Sequence, residues 1–168
     1  MADFKKAIAF VLSHEDPGLT GKVTHDSGGT TRYGISQKAF PAVDVAALTL
    51  DQAEEIYREH YWTKVRGDEI DDEDVAAKLL DMAVNMGARQ AVVLCQRAIN
   101  AISEGPLTNR LTEDGAMGPA TLVAINQCRP QVLLHTLRGL CAAFYLHVAT
   151  VKTSEARYLD GWLARARA

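Results

Sequence analysis

The sequence predicts a mainly α-helical fold with a glycine-rich loop or short hairpin after its first helix. Apolar residues recur at helical spacing along most of the 168-residue chain, which is the pattern of amphipathic helices. Strand-like alternation is weak, and glycines and prolines concentrate between residues 16 and 36, as is typical of loops. We expect an N-terminal lobe over residues 1–92 and a C-terminal helical lobe over residues 93–168, packed on each other.

The N-terminal lobe is predicted to begin with a helix over residues 2–14. Its inner face is formed by Phe4, Ile8, Val11 and Leu12. A second helix is predicted to start near Thr49, because Thr49 and Gln52 have the spacing of a capping box, in which each side chain satisfies a backbone N–H group of the other residue.

An acidic run over residues 68–74 precedes the pattern of a long helix. The inner face of that helix is formed by Val75, Leu79, Met82, Ala83, Met86 and Val93. Carboxylates are favourable at a helix start, and this explains the run better than a calcium loop, whose glycine and terminal glutamate are missing. Gly87 costs ~1 kcal/mol relative to alanine inside a helix. We therefore expect either a helix break after Met86 or a close approach there by another backbone or a ligand.

The C-terminal lobe is predicted to hold three helices after a loop over residues 103–119. A short helix follows the loop, and a long one begins near Pro130, a residue that suits the first helical turn. The apolar face of the long helix is formed by Leu133, Leu137, Leu140, Phe144, Val148 and Val151. A final short helix contains Tyr158, Leu159, Trp162 and Leu163.

Composition excludes several classes of function. Hydrophobic residues make up 48% and charged residues 23% of the chain, as in ordinary globular proteins. The net charge of −3 gives no electrostatic reason to bind nucleic acid or an anionic membrane. We expect no membrane span, because no apolar run has the required length, and no signal peptide, because no small-residue cleavage pattern follows the N-terminal apolar stretch.

The cysteines and histidines give no sign of a metal or a cofactor. Cys95, Cys128 and Cys141 lack CxxC spacing and are expected to be buried free thiols. No two histidines have metal-ligand spacing, so we expect no metal site.

Glu15 is the first candidate catalytic residue. It lies at the end of the apolar face of the first helix, where partial desolvation favours the protonated acid that general acid catalysis requires. A second carboxylate, Asp26, follows in the glycine-rich loop with the hydroxyls of Thr30, Thr31 and Tyr33. Two carboxyls beside such a loop suit glycoside hydrolysis, although by spacing alone such a loop is usually an ordinary loop and such a glutamate is usually solvated.

Five motifs follow one another along the chain. They are Ser13-His14-Glu15 with residues 25–36, Tyr61-Trp62, residues 80–87, residues 114–121 and residues 161–165. In this order they resemble the glycoside hydrolase family 108 muramidases, which are phage- and secretion-associated lysozymes, with their C-terminal peptidoglycan-binding-type region. The chain departs from the family pattern in two places: Asp16-Pro17 replaces a Gly-Gly pair, and Arg32 replaces an asparagine.

The resemblance implies a compact lysozyme-like helical fold. It also implies hydrolysis of the β-1,4 bond between N-acetylmuramic acid and N-acetylglucosamine in peptidoglycan, with Glu15 as general acid and Asp26 as its candidate partner. Thr30, Thr31 and Tyr33 are expected to line the sugar cleft, and Asn85 to contact an N-acetyl group unless it caps the turn at Gly87. Tyr61 and Trp62 are expected either to stack on a sugar or to belong to the core. Asp81 is expected to be a structural hydrogen-bond acceptor.

The expected partners are peptidoglycan glycan strands. Without a signal peptide, such an enzyme would be made in the cytoplasm and would reach the wall through a holin or a dedicated export step. The alternative is a secretion-helper protein that binds peptidoglycan with weak catalysis or none, because the altered residues after Glu15 leave the geometry of the acid open.

Overall fold

The computed structural model describes residues 1–26, 29–103 and 110–168. Within them, 67% of residues are helical and 5% lie in strands, so the predicted mainly α-helical class is confirmed. The α-helices are α1 (Phe4–Glu15), α2 (Leu50–Tyr57), α3 (Glu73–Met86), α4 (Ala88–Ile102), α5 (Pro119–Gln127), α6 (Pro130–Val151) and α7 (Leu159–Arg167).

Helix α1 places its last residue, Glu15, at the edge of the core. The carboxylate of Asp3 caps the start of the helix by accepting a hydrogen bond from the Lys5 N–H group at 2.8 Å, as expected of an N-cap. The buried face of α1 packs against α3. The helix ends just before Pro17, whose ring disfavours helical geometry in the residue before it.

A small antiparallel sheet follows α1, and it confirms the predicted hairpin. Its strands are β1 (Thr24–Asp26), β2 (Gly29–Arg32) and β3 (Ile35–Ser36), in the order β1-β2-β3. Only Tyr33 and Gly34 join β2 to β3, because Arg32 pairs with Ile35. Both turn residues have positive φ, 51° and 76°, as a two-residue hairpin turn of the I′ type requires.

Helix α2 begins with the capping box predicted for Thr49 and Gln52. Its continuation over Arg58–Trp62 is a π-helical turn, a form that is common at functional sites. This turn separates two neighbouring aromatic rings: Tyr61 is half-buried, whereas Trp62 is completely buried and lies edge-on against Phe4. Trp62 is therefore a core residue, and the alternative that it stacks on a sugar is wrong.

Gly87 breaks the long helical pattern into α3 and α4. Its φ of 87° is a conformation that L side chains rarely adopt. A side chain added at Gly87 would meet no other atom within 4 Å. The break predicted after Met86 is therefore confirmed, and the alternative of a close approach by another backbone segment is not.

Helix α6 is the central helix of the C-terminal half, where it packs against α3, α4 and α7. Its 22 residues have a mean hydropathy of 1.4 in the most apolar window. It is therefore long and apolar enough to cross a membrane by length and composition, which corrects the expectation that no segment is. This is weak evidence for a span, because core helices of soluble proteins pass the same test.

One hydrophobic core spans both predicted lobes. It includes Leu79 and Met82 of α3, Cys95 of α4, and Leu133 and Leu137 of α6. The division at residues 92 and 93 stays a prediction. The cysteines are free thiols, with Cys95 and Cys141 buried as expected and Cys128 half-buried.

Candidate active site

Glu15 forms an ion pair with a residue from the other end of the chain. Arg165, on α7, donates from Nη1 to Glu15 Oε1 at 2.6 Å. The side chain of Glu15 is 22% exposed and that of Arg165 is 10% exposed. The last helix therefore brings a buried cation to the candidate acid at the end of the first helix.

Arg165 is itself held by two charged residues of α3. Its Nε donates to Asp81 Oδ1 at 2.7 Å, while Lys78 Nζ donates to the Arg165 carbonyl at 2.7 Å and lies 3.4 Å from Asp81 Oδ2. Lys78 and Asp81 are almost completely buried. The network contains two cations and two carboxylates, and such pairing is what buried charges need. The expected structural role of Asp81 as a hydrogen-bond acceptor is confirmed.

Burial and ion pairing have opposite effects on the pKa values of the two cations, Lys78 and Arg165. Burial, the largest influence, lowers the pKa of Lys78 despite the neighbouring Asp81 carboxylate. For Arg165, burial again acts against the charge, but the carboxylates of Asp81 and Glu15 outweigh it and raise the pKa of the guanidinium. Arg165 is thus a permanent positive charge beside Glu15.

Arg165 changes the electrostatic setting expected for Glu15. The sequence alone indicated partial desolvation, which favours the protonated carboxyl. The structure adds the guanidinium of Arg165, which contacts Glu15 Oε1 at 2.6 Å. The expectation of a simply desolvated acid is therefore incomplete.

The turn between β2 and β3 packs directly on Glu15. A side chain at Gly34 would lie 2.8 Å from Glu15 Cβ and would also collide with the Tyr57 hydroxyl. That hydroxyl donates to the Tyr33 carbonyl at 2.9 Å, which fixes the turn. Gly34 therefore allows the sheet to approach the acid closely.

Two tyrosines from α2 and its π-helical turn complete this side of the site. Burial, followed by the charge of Glu15, raises the pKa of both Tyr57 and Tyr61, so both phenols stay neutral. Their ring centroids are 5.9 Å apart. Tyr61 is half-buried and lines an open cavity of about 510 Å³ with Phe40 and His60. An aromatic ring that stacks on a ligand is expected in such a position.

The other predicted site residues lie on the sheet and on α3. Thr30 and Thr31 are half-buried on β2, and Thr30 Oγ1 lies 3.3 Å from His25 Nδ1. Asn85 is half-buried on α3, one turn beyond Asp81. Asp26 ends β1, but its side chain lies outside the described part of the chain, as do Ser27 and Gly28. The structure thus brings Tyr33 and Tyr61 towards Glu15, and the role of Asp26 stays a prediction.

The two departures from the family pattern act together on the loop after Glu15. The Asp16 carboxylate accepts from Thr20 Oγ1 at 2.7 Å and from the Gly21 N–H group at 2.8 Å. Although desolvation alone would raise it, these hydrogen bonds hold the pKa of Asp16 below its ordinary value. Arg32 Nε donates to the Gly21 carbonyl at 2.9 Å, and its Nη1 donates to the Ala46 carbonyl at 2.8 Å. Asp16 and Arg32 therefore both stabilise the loop after Glu15, because both form hydrogen bonds to the backbone of Gly21.

Sequence reasoning missed Arg165 as a site residue. It lies 150 positions from Glu15, so no local spacing connects the two. The available signal was the closing Gly-Trp-x-x-Arg motif over residues 161–165, whose arginine had no assigned role.

A small antiparallel sheet after the first helix of a mainly helical chain, with a glutamate at the end of that helix, defines a lysozyme-like fold. Residues 8–87 match the family described as glycosyl hydrolase 108, and residues 90–167 match the family described as "Predicted Peptidoglycan domain". The first match lies in the first half of the chain and the second match in the second half, so the resemblance drawn from the motifs is confirmed.

A solved structure supports the same assignment. Brucella abortus SagA superposes with a TM-score of 0.69 at 27% sequence identity, and the match covers 97% of this chain and 92% of that one. No match was found among curated proteins. The two family regions support a role in degrading or binding peptidoglycan.

Proposed function

We propose that the protein is an N-acetylmuramidase that cleaves the β-1,4 bond between N-acetylmuramic acid and N-acetylglucosamine. The observation that carries the proposal is the half-buried Glu15 carboxyl, held at 2.6 Å by Arg165 beside Tyr61 and the β2–β3 turn. The glycosyl hydrolase 108 match over residues 8–87 supports the same reaction class.

Glu15 would act as the general acid. Its proton passes to the glycosidic oxygen as the bond to the anomeric carbon breaks, and positive charge develops on the sugar ring. The carboxylate that remains on Glu15 is stabilised by the neighbouring guanidinium of Arg165. Arg165 is therefore a positioning residue in this proposal, because it fixes the carboxyl and stabilises the anion that proton transfer leaves.

The second carboxylate of the reaction would come from Asp26. Asp26 ends β1, where it pairs with Gly29 of β2, and in this proposal its carboxylate stabilises the oxocarbenium-like sugar, orients water or attacks the anomeric carbon. Asp26→Asn compared with Asp51→Asn, a change at an exposed carboxylate in the first turn of α2, tests this role. Equal activity of the two variants would exclude Asp26.

The decisive experiment is digestion of purified peptidoglycan by the wild type and by Glu15→Gln, with product analysis. We expect new reducing ends at N-acetylmuramic acid from the wild type and a loss of about 10²-fold or more in the variant, the contribution typical of a general acid. Reducing ends at N-acetylglucosamine would identify a glucosaminidase instead. New free amines would identify an amidase or peptidase, and equal activity of both proteins would exclude Glu15 as the acid.

A peptidoglycan-binding helper with little catalysis is the second candidate. It is favoured by the residues after Glu15, because Asp16 and Pro17 replace the glycine pair of the family pattern. Wild-type protein that sediments with peptidoglycan but releases no reducing ends between pH 4 and pH 8 would support the helper function and contradict the muramidase.

A further inference from the structure

A second cavity, of about 290 Å³, lies between the end of α3, the last turns of α6 and the start of α7. Its volume is close to the lower end of the range of ~300–1,000 Å³ that is typical of ligand pockets. Its wall includes Asn85, Phe144, Tyr145, Lys152, Glu155 and Trp162. The cavity is separate from the open cavity beside Tyr61.

Aromatic rings form one wall of this cavity. Trp162 stacks on Tyr145 with ring centroids 5.3 Å apart and an angle of 25° between the rings. Tyr145 is buried, whereas Trp162 and Phe144 are half-buried, so the buried ring supports its neighbours without filling the cavity. Half-exposed aromatic rings held in this way present apolar surface with a polar edge, which suits the C–H face of a pyranose.

Polar groups stand around the aromatic wall. Within the described residues, the Asn85 side chain forms no hydrogen bond, and neither Lys152 nor Glu155 forms an ion pair. An asparagine amide both donates and accepts hydrogen bonds, which makes it complementary to the acetamido group of an amino sugar. Lys152 and Glu155 carry opposite charges, so the rim does not select an anionic ligand.

The cavity adjoins the Glu15 network along two helices. Asn85 lies four residues beyond Asp81 on α3, and Trp162 lies three residues before Arg165 on α7. One helical turn advances about 5.4 Å, which is about the length of a sugar ring. Along both helices, the cavity therefore lies about one sugar ring from Asp81 and Arg165, which position Glu15.

We propose that this cavity binds one N-acetylated hexosamine ring of a glycan strand, next to the ring whose bond is broken at Glu15. The identity of the strand as peptidoglycan rests on the proposed function. The aromatic wall and the neutral amide favour a sugar ring over a stem peptide, whose carboxylates would need an excess of positive charge that the rim lacks.

The test is binding of a soluble sugar, the N-acetylglucosamine trimer, to the Glu15→Gln protein, measured by calorimetry and by NMR chemical shifts. Adding Asn85→Ala should weaken the affinity by about 3- to 10-fold, the effect of one lost hydrogen bond. Trp162→Phe should weaken it while keeping the stack on Tyr145. The matched control is His147→Ala, an exposed position on α6 outside the cavity wall, which should leave the affinity unchanged.

A thermal melt of each variant shows whether it is folded. Unchanged trimer affinity in folded Asn85→Ala and Trp162→Phe proteins would overturn the proposal. A requirement for stem peptides, seen as binding to intact peptidoglycan but not to amidase-stripped strands or the trimer, would also overturn it. A further outcome is that the wild type binds the trimer in a way that depends on Asn85 and yet leaves peptidoglycan uncut. That result would support this cavity and contradict the proposed function.

Discussion

The two sides of the candidate active site are built in different ways. The helical side consists of α1, α3 and α7, where Glu15, Asp81, Lys78 and Arg165 form a continuous network of buried charges. The sheet side consists of β1–β3 and the loop that Asp16 and Arg32 fasten, and its polar side chains are mostly half-buried and bonded to nearby backbone. The helical side thus fixes the position of the acid, whereas the sheet side carries Thr30, Thr31 and Tyr33, the predicted sugar contacts.

From this difference we expect substitutions on the helical side to affect folding and substitutions on the sheet side to affect mainly the site. A buried network fails as a unit when one member is removed, because the remaining charges are left without partners. Loop hydrogen bonds near solvent are replaced by water at a smaller cost.

The strongest test of the helical side is Asp81→Ala. It leaves Lys78 and Arg165 buried without their shared carboxylate, so we expect a loss of about 3–5 kcal/mol in the free energy of unfolding, measured by urea denaturation. The matched control is Glu113→Ala, which removes one carboxylate from the more exposed pair with Arg97 and should change stability much less. Equal losses in both variants would show that the network is not a cooperative unit.

Gly34→Ala tests the contact between the two sides. The positive φ costs a non-glycine residue about 1–3 kcal/mol, and the added Cβ would press on Glu15 and Tyr57. We expect both lower stability and lower activity. Gly139→Ala is the control, since it lies on α6 with nothing within 4 Å, and it should stabilise the helix by up to about 1 kcal/mol. Full activity in Gly34→Ala would show that the turn does not set the position of the acid.

The sequence predicted the sheet side better than the helical side, and the reason is distance along the chain. The hairpin, its hydroxyls and Glu15 lie within residues 13–36, where turn residues and a helix end can be recognised locally. Arg165 approaches Glu15 only because α6 and α7 fold back over α3. Trp62 and Tyr61 are adjacent in sequence, yet the π-helical turn sends one ring into the core and leaves the other half-exposed, which periodicity does not reveal.

Arg165 is expected to hold Glu15 in place for proton transfer. Replacing it with glutamine removes the guanidinium that donates to Glu15 Oε1 at 2.6 Å. We expect kcat on soluble glycan strands to fall by about 10-fold or more, the effect of one lost hydrogen bond to a charged group, with a smaller change in KM, measured below the melting temperature of the variant. Arg165→Lys keeps the charge and should lose less. An unchanged kcat in folded Arg165→Gln protein would show that Arg165 acts on folding alone.

Asp16→Ala should have the smallest effect, and one that depends on pH. It removes the hydrogen bonds to Thr20 and Gly21, so we expect a loss of about 1 kcal/mol near neutral pH. Because the folded protein holds the pKa of Asp16 below its ordinary value of 3.8, the stabilisation is fully present above that value and is lost as the pH falls through the lower folded value. Urea denaturation of wild type and variant should therefore converge in acid. A stability difference that persists unchanged at pH 2 would mean that Asp16 acts through backbone geometry beside Pro17, and not through its charged carboxylate.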